Sequence, residues 1–168
     1  RKWAAWCTQC ASIVMGAPEM LIDHVENLES LRADIRSYAS EGLRVLVVVR
    51  YVEAFEDQTL PANPSPLALL VLEEDLRDDA TETLAYFRRQ GVRVRIISGD
   101  SPTTVAALAA QVGLLSPNGD APHAFDARNL PQDPTSAEFL SIVEATDVFG
   151  RVTPEQKRAL VKALQTQK

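Results

Sequence analysis

Two short stretches of the chain carry side chains suited to handling a phosphoryl group. Ser98-Gly99-Asp100 follows the alternating apolar run Val92–Ile97 and precedes Ser101-Pro102, a pair that suits the cap and first position of a helix. A strand, a turn of small residues and a helix N-terminus together make an anion site, because free backbone N–H groups and the positive helix end face one point. Gly99 allows close backbone approach to a ligand, and Ser98 offers a hydroxyl at the strand tip. Small polar residues at such a turn also serve purely as caps. The second stretch runs from Arg151 to Lys157. Val148-Phe149 reads as a short strand, Thr153, Pro154 and Gln156 open a helix, and Lys157 falls near its first turn. A cation is disfavoured at the positive end of a helix unless an anion sits nearby; the alternative is a solvated surface lysine. If the two strands are parallel neighbours, a hydroxyl, backbone amides and a lysine charge emerge at one sheet edge. That set stabilises phosphoryl oxygens.

The elements that must position these groups divide near Asn63-Pro64-Ser65-Pro66. Residues 1–63 read as a β-rich piece with one helix. Ala11–Val14 is a short strand, Leu28–Ser40 has helical spacing with Gly42 to end it, and Leu43–Val52 is a β-branched strand. The polar, proline-containing Glu53–Pro66 reads as a linker. In residues 64–168 the rhythm becomes strand, helix, strand, helix. Leu67–Leu72 reads as a buried strand, and Asp79–Gln90 as a helix capped by Asp79 with Glu82 behind it. Val92–Ile97 is the next strand, followed by a helix from Ser101 to Gly113 and a turn-rich Ser116–Pro122. Thr135 and Glu138 form a capping box before another helix. This alternation predicts an α/β fold with a parallel sheet and ligands at the carboxyl ends of its strands.

Composition excludes several partners. The net charge of −6 gives no counterion-release advantage on nucleic acid. No basic run is present to hold an anionic membrane, and no apolar run approaches the roughly 20 residues of a membrane span. There is no signal peptide, and the start at Arg1 within patterned sequence suggests an excised piece. Cys7 and Cys10 form a lone C-x-x-C, with His24 and His123 poorly placed to complete a zinc site; two reduced thiols are the expectation.

Several segments, in order, resemble those of P-type cation-transporting ATPases, bacterial members in particular. Ile97-Ser98-Gly99-Asp100, with Thr104-Val105-Ala106 and Val112-Gly113-Leu114, resembles their T-G-D segment. Val148 to Lys157 resembles V-F-A-R-V-x-P-x-x-K, and Leu72 to Arg77 lies where the family has D-P-P-R. Met15-Gly16-Ala17-Pro18-Glu19 resembles K-G-A-P-E, and Glu41 to Leu46 the segment after it. The resemblance implies a partial haloacid-dehalogenase-like phosphorylation domain over 64–168. It implies the C-terminal part of an α+β nucleotide-binding domain over 1–63. It implies that Ser98 contacts the transferred phosphoryl group and Lys157 neutralises its charge, with Gly99 and Asp100 closing the site. By the same resemblance Gly16 and Ala17 lie against the nucleotide, and Arg44, Arg77 and Arg151 lie near the ATP phosphates or the domain hinge. ATP and Mg2+ are the implied cofactors. The rest of the transporter, with its actuator and membrane domains, is the implied partner. The parent would sit in the plasma membrane with this piece soluble on the cytoplasmic side.

Met15 replaces the family lysine, Ser98 replaces threonine, and Glu74-Asp75-Leu76 replaces D-P-P. The chain contains no D-K-T-G-T segment with its phosphorylated aspartate, no G-D-G-x-N-D magnesium segment and no T-G-E segment. The expectation is therefore a piece that cannot hydrolyse ATP or move an ion alone. A missing central strand would leave an edge of Val92–Ile97 open, inviting a dimer or a strand-swapped contact. The alternatives are a stand-alone haloacid-dehalogenase phosphatase, which needs an Asp-x-Asp motif, and a non-catalytic nucleotide-binding module.

Overall fold

The computed structural model describes residues 3–7, 11–22, 25, 28–52, 60, 61 and 63–166. Cys10 and His24, and much of the expected linker, lie outside the described residues. The chain forms two compact units, one of Arg1–Ala39 with Leu43–Glu74, the other of Asp75–Lys168 with Ser40–Gly42.

The first unit is an antiparallel sheet with two helices. Its strands are β1 (Trp3–Cys7), β2 (Ser12–Gly16), β3 (Arg44–Tyr51) and β4 (Ser65–Leu72), in the order β1-β2-β3-β4. Between β2 and β3 come α1 (Pro18–Leu21) and α2 (Glu29–Ser40). Alternation along β3 buries Val45, Val47, Val49 and Tyr51 on one face, and the last three meet Val14, Leu21 and Ile22 there. Leu28, Leu31 and Ile35, the apolar stripe of α2 and its lead-in, cover that core. Arg32 pairs with Glu29 (3.3 Å) and also donates to the carbonyls of Ile22 (2.9 Å) and Val25 (2.7 Å), tying the end of α1 to α2.

The continuous apolar run Leu67–Leu72 does not enter a parallel sheet. It pairs antiparallel with β3, from Arg44 opposite Leu72 to Arg50 opposite Ser65, with an irregularity at Val48/Val49. The break between units accordingly follows Glu74 rather than Asn63. The reason lies in the connection. A parallel pair needs a long crossover, usually helical, whereas the stretch between the two strands is polar and proline-containing. As an edge strand, β4 also leaves Leu67, Leu70, Val71 and Leu72 largely exposed instead of buried.

The second unit is the α/β layer structure expected from the alternation of elements. It contains α3 (Ala80–Arg89), β5 (Ile96–Ile97), α4 (Pro102–Gln111), β6 (Ala124–Asp126), α5 (Ala137–Ala145), β7 (Val148–Gly150) and α6 (Pro154–Thr166). A 3-10 turn, Ala127–Asn129, follows β6. The three strands are parallel in the order β5-β7-β6. Neighbouring residues of β7 serve opposite cores. Phe149 packs with Phe139, Val143, Leu160 and Ala163 of α5 and α6. Val148 packs with Ala109 of α4 and with Leu114. At the amino end of the sheet, the buried Asp147 carboxylate accepts from Arg93 (2.8 Å) and from the His123 backbone N–H (3.1 Å), so one side chain ties the approaches to all three strands.

Four local expectations change. Only Ile96–Ile97 of the run Val92–Ile97 is strand, because its partner β7 is three residues long. Asp79 does stand at the head of α3 but makes no capping bond, since Arg77 holds its carboxylate at 2.9 and 2.7 Å. Ser101 likewise precedes α4 without a side-chain cap. The cap of α5 is Ser136, accepting from Phe139 N–H at 3.2 Å, while Thr135 is bonded to Asp133.

Candidate functional site

The parallel pair β5–β7 sets Ile97 opposite Phe149, so Ser98 and the segment leading to Lys157 emerge at the same edge of the sheet. Ser98 N–H donates to the Phe149 carbonyl at 2.9 Å, extending the ladder by one bond. The turn beyond it is closed internally. Asp100 N–H donates to Ser98 Oγ (3.1 Å), and the Ser98 hydroxyl donates to Asp100 Oδ2 (3.3 Å). It is also strapped from below. Val152 N–H donates to the Ser98 carbonyl (3.0 Å) and Arg151 N–H to the Asp100 carbonyl (2.7 Å). A Cβ built on Gly99 meets nothing within 4 Å, so the chain itself leaves that face of the turn open. Open backbone beside the start of α4 is what an incoming oxyanion requires.

Lys157 is the fourth residue of α6, and its N–H donates to the Thr153 carbonyl at 2.9 Å. The head of that helix is a reciprocal capping box: Thr153 N–H donates to Gln156 Oε1 (3.0 Å) and Gln156 N–H to Thr153 Oγ1 (3.3 Å). Gln156 also donates to the Ala127 carbonyl at 2.6 Å, tying α6 to the turn after β6. The Lys157 side chain is exposed, and no described residue pairs with its ammonium.

Arg151 adopts a left-handed backbone, φ 56°, a conformation that costs a non-glycine residue about 1–2 kcal/mol. Its guanidinium donates to Asp126 Oδ2 at 2.7 Å, with both side chains mostly buried. Arg128 grips the same carboxylate through its side chain (2.8 Å) and its backbone N–H (3.0 Å). Burial of the Asp126 carboxyl pushes its pKa up, but the bonds from Arg128 and Arg151 outweigh that and bring it down to about 2. Gly150 lies so close to the Pro102 backbone that a Cβ there would overlap it. This contact brings the tip of β7 against the head of α4.

The remaining expected site residues lie elsewhere in the sequence. Arg77 is exposed and engaged with Asp79. Gly16, Ala17 and Arg44 belong to the first unit. There Gly16 ends β2 buried opposite Val47, and Ala17 precedes α1. Arg44 starts β3 on the other face, the one carrying Met15 opposite Val48 and Leu46 opposite Leu70. That face is apolar yet open. Ile13, Met15, Leu70 and Leu72 are each more than a third exposed. Arg44 stands at its margin with a long 3.9 Å contact to Glu74. Asp126 is the residue that sequence reasoning missed. Its strand is three residues long, too short to show a period, and the only signal was Arg128 two positions on.

A model of the haloacid dehalogenase-like hydrolases matches residues 4–168. The chain belongs to that family. Among curated relatives, this haloacid dehalogenase-like chain is 38% identical over 153 residues to the calcium-transporting ATPase CtpE of Mycolicibacterium smegmatis, covering 91% of this chain and 18% of that protein. It is 36% identical over 168 residues to the probable cation-transporting ATPase exp7 of Streptococcus pneumoniae, covering 98% and 20%. It is 27% identical over 162 residues to calcium-transporting ATPase 2, plasma membrane-type, of Arabidopsis thaliana, covering 94% and 16%. The chain thus spans about a fifth of the length of these relatives. The resemblance to cation-transporting ATPases drawn from the motif segments is borne out. Among the described residues, no helix is long and apolar enough to cross a membrane.

Proposed function

We propose that this chain is the part of an ATP-driven cation transporter that receives nucleotide on its first unit and steadies the transferred phosphoryl group on its second. What supports the reading is the strapped Ser98-Gly99-Asp100 turn at the tip of β5 and the exposed Lys157 in the first turn of the helix that follows its parallel neighbour β7. The Ser98 hydroxyl, the open Gly99 backbone and the head of α4 supply hydrogen-bond donors, and Lys157 supplies the charge that draws electron density from phosphoryl oxygens. On the first unit, the open apolar face with Arg44 at its edge suits a base and its phosphates; Gly16 and Ala17, at the end of β2, are proposed to lie against the nucleotide through their backbone. Arg77 and Arg151 are proposed to lie near the hinge and the phosphates, Arg151 through its backbone contact with the Asp100 turn.

ATP is the proposed ligand and the rest of the transporter, actuator and membrane domains included, the proposed partner. The parent would be membrane-embedded with this piece on the cytoplasmic side. Mg2+ is proposed for the parent protein; among the described residues no three His, Cys, Asp or Glu side chains come together to hold it. The relatives are named for calcium or unspecified cations. Selectivity for an ion depends on membrane residues outside this sequence. With no D-K-T-G-T aspartate in the sequence, the chain alone should form no phosphoenzyme. A stand-alone phosphatase is disfavoured by Asp126, the carboxylate at the tip of β6, which is followed by Ala127-Arg128 and already held by two arginines.

Titration with ATP while following backbone amide shifts tests the reading. Shifts should appear in two patches, one around Gly16 and Arg44 and one around Gly99. Shifts confined elsewhere, or ATP hydrolysis by the isolated chain that Lys157→Ala abolishes, would contradict it.

A further inference from the structure

The strap beneath the Ser98 turn depends on a conformation that Arg151 does not adopt freely. Two consecutive amides, Arg151 and Val152, donate to two carbonyls of one turn, Asp100 and Ser98. The chain can present both only because Arg151 swings into the left-handed region at φ 56°. Glycine would meet that demand without strain, and here an arginine stands in its place. Its guanidinium is mostly buried and bonded at 2.7 Å to Asp126 on the adjacent strand β6. Asp126 is itself fixed from the opposite side by Arg128.

We propose that Asp126 is a positioning residue for the phosphoryl-binding turn: its carboxylate anchors the Arg151 side chain and thereby fixes the backbone that grips the Ser98 and Asp100 carbonyls. The chain of contacts crosses all three parallel strands, from the tip of β6 through the tip of β7 to the tip of β5. Asp126 touches no ligand in this account; it acts through Arg151. The role assigned to the turn rests on the phosphoryl reading above, while the clamp itself does not.

The test uses the 168-residue chain and two readouts. The first is amide hydrogen exchange without ligand. Asp126→Ala should speed exchange at Arg151 and Val152 by about tenfold or more, leaving Leu160 and Ala163 of α6 protected, and Asp126→Glu should restore most of the protection. Should Asp126→Ala fail to fold, Arg151→Ala, which keeps the cost of the left-handed backbone but removes the guanidinium, must give the same local release. Unchanged exchange at the two amides, or loss of protection spread evenly through α6, overturns the proposal. The second readout is inorganic phosphate binding, followed at Ser98 and Gly99. Folded Asp126→Asn should bind it at least about threefold more weakly; affinity equal to the unaltered chain overturns the positioning role. If the unaltered chain shows no phosphate response at all, the phosphoryl reading fails, and the exchange readout still decides the clamp.

Discussion

Single side chains hold both ends of the parallel sheet. At the carboxyl end, Asp126 has its pKa lowered from 3.8 to about 2. Between those values the unfolded chain binds the proton that the folded chain does not. The pair therefore stabilises the fold fully above about pH 4, by on the order of 1–2 kcal/mol after solvent screening, and that contribution disappears as pH falls through about 2. Urea unfolding should show the advantage of the natural chain over Asp126→Asn at about pH 6, most of it gone at about pH 2 and none left at about pH 1. At the amino end, Asp147 is buried against Arg93 and the His123 N–H. Asp147→Ala strands a mostly buried guanidinium and an amide, and should lower stability by about 3 kcal/mol, read as a drop in Tm. A loss below about 1 kcal/mol would show that water replaces the carboxylate.

At the scale of elements, the contact between β7 and α4 decides how the site is assembled. Gly150→Ala would drive a Cβ into the Pro102 backbone. About 2 kcal/mol or more of destabilisation is expected, together with altered amide shifts from Ser98 to Thr104. That outcome runs against the motif, where alanine stands at this position, so a neutral result would show that the head of α4 can move aside. Gln156→Ala removes the capping box and the bond to Ala127, and should cost about 1 kcal/mol without moving β5. The helices and longer strands were legible because their periods run over several turns or pleats. α2, β3 and α4 lie within a residue or two of their expected bounds, and α6 starts where expected. What was not legible depends on partners distant in sequence. Apolar Leu67–Leu72 carries no mark of which sheet it joins, and β6 is too short for any pattern. Ser98, Gly99 and Lys157 could be picked from local grammar, strand tip and helix head. Asp126 could not, because its role exists only when Arg151 folds back 25 residues away in sequence.

The whole molecule is two units of different architecture joined in one chain that covers about a fifth of its relatives. β5 sits at one end of its sheet and pairs only with β7 among the described strands. An open edge of this kind favours self-association, so light scattering should detect dimer as concentration rises. A monomer at all concentrations would mean that two paired residues are too short a template. The Ser98 turn and Lys157, at two neighbouring strand tips, are proposed to build one anion pocket. The most direct test of that pocket is an inorganic phosphate titration followed at the amides of Ser98 and Gly99 and the side-chain signals of Lys157. All three should respond with a single affinity, and Lys157→Ala should weaken the response at Ser98 and Gly99 by about tenfold while the fold is unchanged. Responses at Ser98 and Gly99 that are indifferent to Lys157→Ala would contradict it.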